Sequence, residues 1–133
     1  MIYEWSISIP AGTTKANWQK KEVVLPKGVI HKVDVVFPPG CAGCAHLIVK
    51  KSTHQIYPTN GDDSFNGDGE VISFKDHYRL PYKNNFLQIY TWNTGSYDHT
   101  VTLRLGVLPE PILIPYKPFE SVLASMKRLF GLR

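Results

Sequence analysis

Cys41 and Cys44, in the run Cys41-Ala42-Gly43-Cys44-Ala45-His46, are the residues that first suggest chemistry. A structural zinc site takes four thiolate or imidazole ligands, and these are the only two cysteines in the chain. His46, His54 or His31 could complete a site, but no second ligand pair has metal-like spacing. Haem attachment places His directly after the second Cys, and Ala45 intervenes here. A redox pair opens a helix whose N-terminus lowers the thiol pKa, whereas this one follows Pro38-Pro39-Gly40 between extended segments. The plainer expectation is a tight β-turn with two small, partly buried side chains. No metal and no cofactor are expected.

Residues 59–70, TNGDDSFNGDGE, gather the acidic groups. Asp62, Ser64, Asn66 and Gly67 match the opening of a calcium loop, but Ser73 stands where the bidentate glutamate belongs. Asn-Gly and Asp-Gly pairs also supply the positive φ of hairpin turns, which is the expected role. None of the five histidines lies beside a nucleophile in a known motif, and no Gly-x-Ser-x-Gly or Walker sequence occurs. Asp62 and Asp63 share a flexible turn, a poor mount for paired carboxylates. The chain is therefore expected to be no enzyme, with no catalytic residue. Trp92, Tyr90, Tyr97 and Trp18 are candidates for stacking on sugar rings. Because Phe86, Tyr90 and Trp92 share one alternation face, burial in the core is the expectation for them.

The elements that would position these residues are strands. Tyr3, Trp5, Ile7 and Ile9 alternate with Glu4, Ser6 and Ser8. Extended segments follow at 15–25 and 29–37, divided by Pro26-Lys27-Gly28, with Val29, Val33, Val35 and Phe37 as an inward row. Segments at 45–51 and 53–57 are separated at Ser52, which suggests a bend or bulge within one hairpin arm. Further strands are expected at 71–74, 86–92 and 100–108, with a turn at Asn93-Thr94-Gly95-Ser96. About eight strands with no helix between them predict an all-β antiparallel sandwich over 1–108, jelly-roll-like in style.

The pattern changes after Leu108. Pro109, Pro111, Pro115 and Pro118 predict an extended arm at 109–118, made apolar by Ile112, Ile114 and Tyr116. Phe119, Val122, Leu123, Met126, Leu129 and Phe130 then form one helical stripe, predicting an amphipathic helix over 119–131 that Gly131 ends. So short a helix is marginal alone in water, so these nine apolar residues are expected to dock on the chain's own sandwich, on a neighbouring subunit or on a lipid surface.

The formal net charge of +4 comes from lysines and arginines that are spread out, which argues against a nucleic-acid face. No hydrophobic run reaches the ~18 residues that span a membrane. The first ten residues lack the basic n-region of a signal peptide, so a cytoplasmic location, or a virus particle assembled there, is expected. The short strands, the long polar turn PTNGDDSFNGDGE, the pair LQIYTWN and HTVTLRLGVLP, and the terminal arm resemble small jelly-roll and β-sandwich proteins of viruses and bacteriophages that build or decorate capsids. The resemblance implies a non-enzymatic virion component (capsid, vertex or decoration) that forms symmetric homo-oligomers and contacts other structural proteins. The alternative expectation is a carbohydrate- or ligand-binding β-sandwich module that uses exposed Trp and Tyr.

Overall fold

A computed structural model describes residues 1–109. All but the first residue of the expected arm, and all of the expected helix, lie outside the described residues. Ile112, Ile114, Tyr116, Phe119, Val122, Leu123, Met126, Leu129 and Phe130 fall there too.

The described chain is all-β apart from one 3-10 turn, Lys15–Asn17. Its strands are β1 (Ile2–Ile9), β2 (Gln19–Phe37), β3 (Ala45–Lys51), β4 (His54–Tyr57), β5 (Glu70–Asn93) and β6 (His99–Leu108). They make one antiparallel sheet in the order β1-β6-β2-β5-β3-β4. Six strands replace the expected eight because β2 and β5 each join two expected segments. Pro26-Lys27-Gly28 does not turn the chain back. It is absorbed as an irregularity inside β2, which keeps β5 as its partner from Gln19 to Phe37.

That irregularity divides the sheet. On one side of it, Val29 to Val36 pair with β6, and β6 pairs with β1. On the other side, β3 pairs with β5 between Gln88 and Asn93. Pro26 pairs with Asn84 and Gly28 with Leu80, so Lys27 alone stands opposite Pro81, Tyr82 and Lys83. Such an excess bends a strand pair and sharpens its twist. Asn85, almost wholly buried, closes the gap. Its Nδ2 donates to the carbonyls of Leu25 and Tyr82 at 3.2 and 2.6 Å, and its Oδ1 accepts from the Tyr82 amide at 3.1 Å. Gly28 is needed for space, because a Cβ there would sit 2.5 Å from the Leu108 carbonyl oxygen.

Both halves contribute to one core. Ile7, Ile9, Val33, Val35, Phe37, Val101, Leu103 and Leu105 pack in the same cluster as Val23, Leu25, Leu47, Val49, Leu87 and Ile89. Tyr3 and Trp5 lie against it, as the alternation of β1 predicts. Val29 is buried but outside that cluster, and Ile30 takes its place. The cause is a bulge at His31, the unpaired residue between Ile30↔Val107 and Lys32↔Gly106, which shifts the alternation by one. Ser52-Thr53 is the turn of the β3–β4 hairpin, with Ser52 at φ 58°, and no bend within a single arm.

Asn85→Ala is expected to cost about 2–4 kcal/mol of unfolding free energy, because each orphaned buried backbone group costs roughly 1–3 kcal/mol. Urea denaturation measures this, and an unchanged midpoint would contradict the role given to Asn85.

Candidate functional site

Alternation along β5 sends Leu87, Ile89, Thr91 and Asn93 to one face and Phe86, Gln88, Tyr90 and Trp92 to the other. Leu87 and Ile89 belong to the core cluster, whereas Trp92 and Tyr90 do not. The aromatic row therefore lies on the sheet face away from that cluster. Trp92 is buried there at 6% exposure, as expected, whereas Tyr90 is only partly buried and Phe86 is exposed, which corrects the expectation for those two. Phe86 is half exposed and its cross-strand partner Val24 nearly so.

Register brings neighbours to the row. His46 pairs with Trp92 and Ile48 with Tyr90 across β3, while Lys20 pairs with Tyr90 across β2. The 3-10 turn, closed by the Asn17 amide donating to the Thr14 carbonyl at 3.0 Å, delivers Trp18 just before β2 begins. Trp18 lies 4.4 Å from Tyr90 and 5.9 Å from Trp92 between ring centroids, tilted against each. His46 stacks on the Trp92 ring at 5.0 Å, with 8° between the planes.

Two lysines cap these rings. Lys50 Nζ stands 5.1 Å from the Trp18 centroid and 5.4 Å from that of Tyr90, and Lys15 Nζ stands 5.5 Å from that of Trp92. An ammonium over a ring face is held by the ring quadrupole. Trp18, Trp92, Lys15, Lys50, Gln55 and Asp63 line a small, open hollow of about 70 Å³ on this face. Gln55 is fixed by donating Nε2 to the carbonyls of Pro58, Asn60 and Asp63 at 2.9, 3.2 and 3.0 Å, which pins the loop 58–63 along one rim.

His46 Nδ1 and Ser64 Oγ are hydrogen-bonded at 2.8 Å, a contact that no sequence spacing announces. Asp63 Oδ1 accepts from the Ser64 amide at 2.9 Å. Burial lowers the His46 pKa first; Asp63 opposes that and Lys15 adds to it. A lowered value favours the neutral ring in the folded state.

The sequence candidates sort as follows. Trp18, Tyr90 and Trp92 come together, and Tyr97 does not, standing 76% exposed in the loop after β5. Cys41 to Cys44 form a tight turn, with the Cys44 amide donating to the Cys41 carbonyl at 2.8 Å and positive φ at both Ala42 and Gly43. Cys41 is buried, and desolvation raises its thiol pKa, with Asp68 and Cys44 adding to the rise. The histidines weighed as its partners are dispersed: His46 stacks on Trp92, His31 packs against Gly106, and His54 is exposed. Among the described residues no cluster of three or more His, Cys, Asp or Glu could hold a metal ion. The acidic loop is no hairpin turn, since it joins β4 to β5, which are not neighbours in the sheet. It is tied instead to the cysteine turn, through Gly43 amide to Gly67 carbonyl at 3.3 Å and Gly40 amide to Asp68 Oδ1 at 2.7 Å.

Lys15, Lys50 and Gln55 are the site residues that sequence reasoning missed, and His46 was weighed there only as a metal ligand. Gln88, the polar residue in the row of Phe86, Tyr90 and Trp92, was no guide to them: it is buried, its Oε1 accepting from the Ser52 amide at 3.0 Å.

No family model and no curated protein matches the chain. Among solved structures, the mitogen derived from Yersinia pseudotuberculosis is similar at a TM-score of 0.41 and 13% identity, over 81% of this chain and 86% of that one. The disulfide-linked pili of Bacillus endospore appendages are similar at a TM-score of 0.30 and 10% identity, over 81% of this chain and 88% of that one. Neither likeness is close enough to bear on what the chain does.

The His46 shift has a pH consequence. The unfolded chain takes up the proton near the ordinary value of 6.5, while the folded ring resists it. This contribution is full above that value and is lost as pH falls through it toward the folded pKa. Urea midpoints should therefore fall more between neutral and mildly acidic pH for the native protein than for His46→Gln. Equal slopes would contradict the assignment.

Proposed function

We propose that the chain is a non-enzymatic binding module, a sandwich in style, whose outer aromatic face takes a carbohydrate ring. The partly exposed rings of Trp18 and Tyr90, packed together against the buried Trp92 on the sheet face away from the core cluster, carry this. The C–H face of a sugar is apolar and complements the negative face of an aromatic ring, while its hydroxyls need polar groups at the edge. Gln55, Asp63 and the two lysines supply that edge. Ser64 and His46 make the nearest approach to a nucleophile and base, but the neighbouring Asp63 carboxylate accepts from the Ser64 amide and does not orient the imidazole. Non-covalent recognition accounts for the arrangement without a catalytic step.

Assembly into a symmetric oligomer, in a virion as the sequence style suggests, is the second reading. Strand β1 favours it. This strand ends the sheet with β6 as its only partner among the described residues, and it leaves Ile2 74% exposed. Such an edge can pair with a further strand.

Trp18→Ala should weaken saccharide binding about tenfold or more in isothermal calorimetry, since burying a side chain of this kind is worth about 1.5–3 kcal/mol. Its thermal midpoint should stay close to that of the native protein, because Trp18 lies outside the core. Unchanged affinity across a glycan panel that contains a binder would contradict the proposal. For assembly, native mass spectrometry should show full-length protein as an oligomer, and a monomer at high concentration would contradict that role.

A further inference from the structure

We infer that the aromatic face selects an acidic saccharide, one carrying a carboxylate or sulfate beside the ring that stacks. This rests on the carbohydrate-binding reading above and adds the charge of the ligand.

The placement of the lysines carries the inference. Lys50 Nζ lies over both Trp18 and Tyr90, and Lys15 Nζ lies over Trp92. With Trp92 buried, the Trp18 and Tyr90 faces under Lys50 are the ones a neutral sugar would have to occupy, and Lys15 stands at their border. To stack there, such a sugar must displace an ammonium and forfeit a cation–π contact worth roughly 0.5–1 kcal/mol at an exposed site. An acidic saccharide has no such conflict. Its anionic group draws the ammonium aside into a charge-assisted hydrogen bond and frees the ring for the apolar face of the sugar.

Neither lysine is ion-paired with a carboxylate among the described residues. Lys20, cross-strand from Tyr90, adds a third positive charge along the row. Two carboxylates lie nearby. Asp63 is engaged by the Ser64 amide, and Glu22 is set beyond Gln88 from Lys50 in the strand register. Neither is in ion-pair contact with the ammonium groups over the rings. The neutral His46 ring, hydrogen-bonded to Ser64, adds shape to this corner without adding charge.

The test compares hyaluronan tetrasaccharide, which is acidic, with chitotetraose, which is neutral, by calorimetry on the full-length protein. The native protein should bind the acidic probe at least about tenfold more tightly, with the preference shrinking as salt rises from about 50 to about 500 mM. A Lys15→Met, Lys50→Met double variant keeps the aliphatic stems over the rings and removes the charge. It should lose about tenfold in affinity for the acidic probe while its affinity for the neutral one changes by much less, so that the acidic preference disappears. Equal affinity of the native protein for both probes would overturn the inference while leaving carbohydrate binding intact, as would a preference that survives in the double variant. Binding of neither probe would overturn the proposed function along with it.

Discussion

The structure depends on a mismatch in length where β2 and β5 cross from one half of the sheet to the other. Lys27 alone faces Pro81, Tyr82 and Lys83, and the excess is accommodated by a bend. A bend in paired strands exposes backbone groups that must be satisfied, and a buried unpaired amide or carbonyl is costly. Asn85 meets the requirement with a single side chain that bridges both strands. Gly28 meets a different one, leaving room for the end of β6 where any Cβ would collide with the Leu108 carbonyl. Because the bend holds, the inner rows of both halves close on a single core, and each half is left with an outer face.

What occupies those outer faces then follows from strand parity. On the half that carries β1 and β6, the outer row is polar, with Glu4 accepting from Arg104 Nε at 2.6 Å and Ser6 bonded to Thr102 at 3.1 Å. Cross-strand pairs of this kind suit a wetted surface. On the other half, the same geometry sets Phe86, Tyr90 and Trp92 outward beside His46 and Ile48. The 3-10 turn, the loop 58–63 and two lysine stems cover this row only in part. Rings left partly open on this face and bordered by positive charge support the binding role proposed above.

Much of the fold was legible in the sequence, and the failures have physical causes. Clean alternation in β1 and β6 placed Tyr3, Trp5, Ile7, Ile9 and the Val101 to Val107 row correctly, because one face there is apolar and the other polar. In β5 the run FLQIYTW is apolar on both faces, so parity identified a shared face without saying which side was inward. Pro26-Lys27-Gly28 carries the composition of a turn, yet a proline at an irregularity and a glycine under a crossing strand have the same composition. The bulge at His31 left no mark in the pattern, and it exchanged Ile30 for Val29 in the core. The cysteine turn was readable because Ala42-Gly43 between two small residues suits a tight reversal. The site itself was half visible. Its aromatics could be named, but Lys15, Lys50 and Gln55 join them through pairing between segments far apart in the chain.

Backbone and side-chain NMR of the full-length protein, titrated with hyaluronan tetrasaccharide, tests the central claim most directly. The account predicts that the largest shifts fall on the indole groups of Trp18 and Trp92, on Tyr90 and His46, and on the loop 58–63, with the β1–β6 half little changed. Shifts confined to the β1–β6 half, or to the cysteine turn, would contradict it.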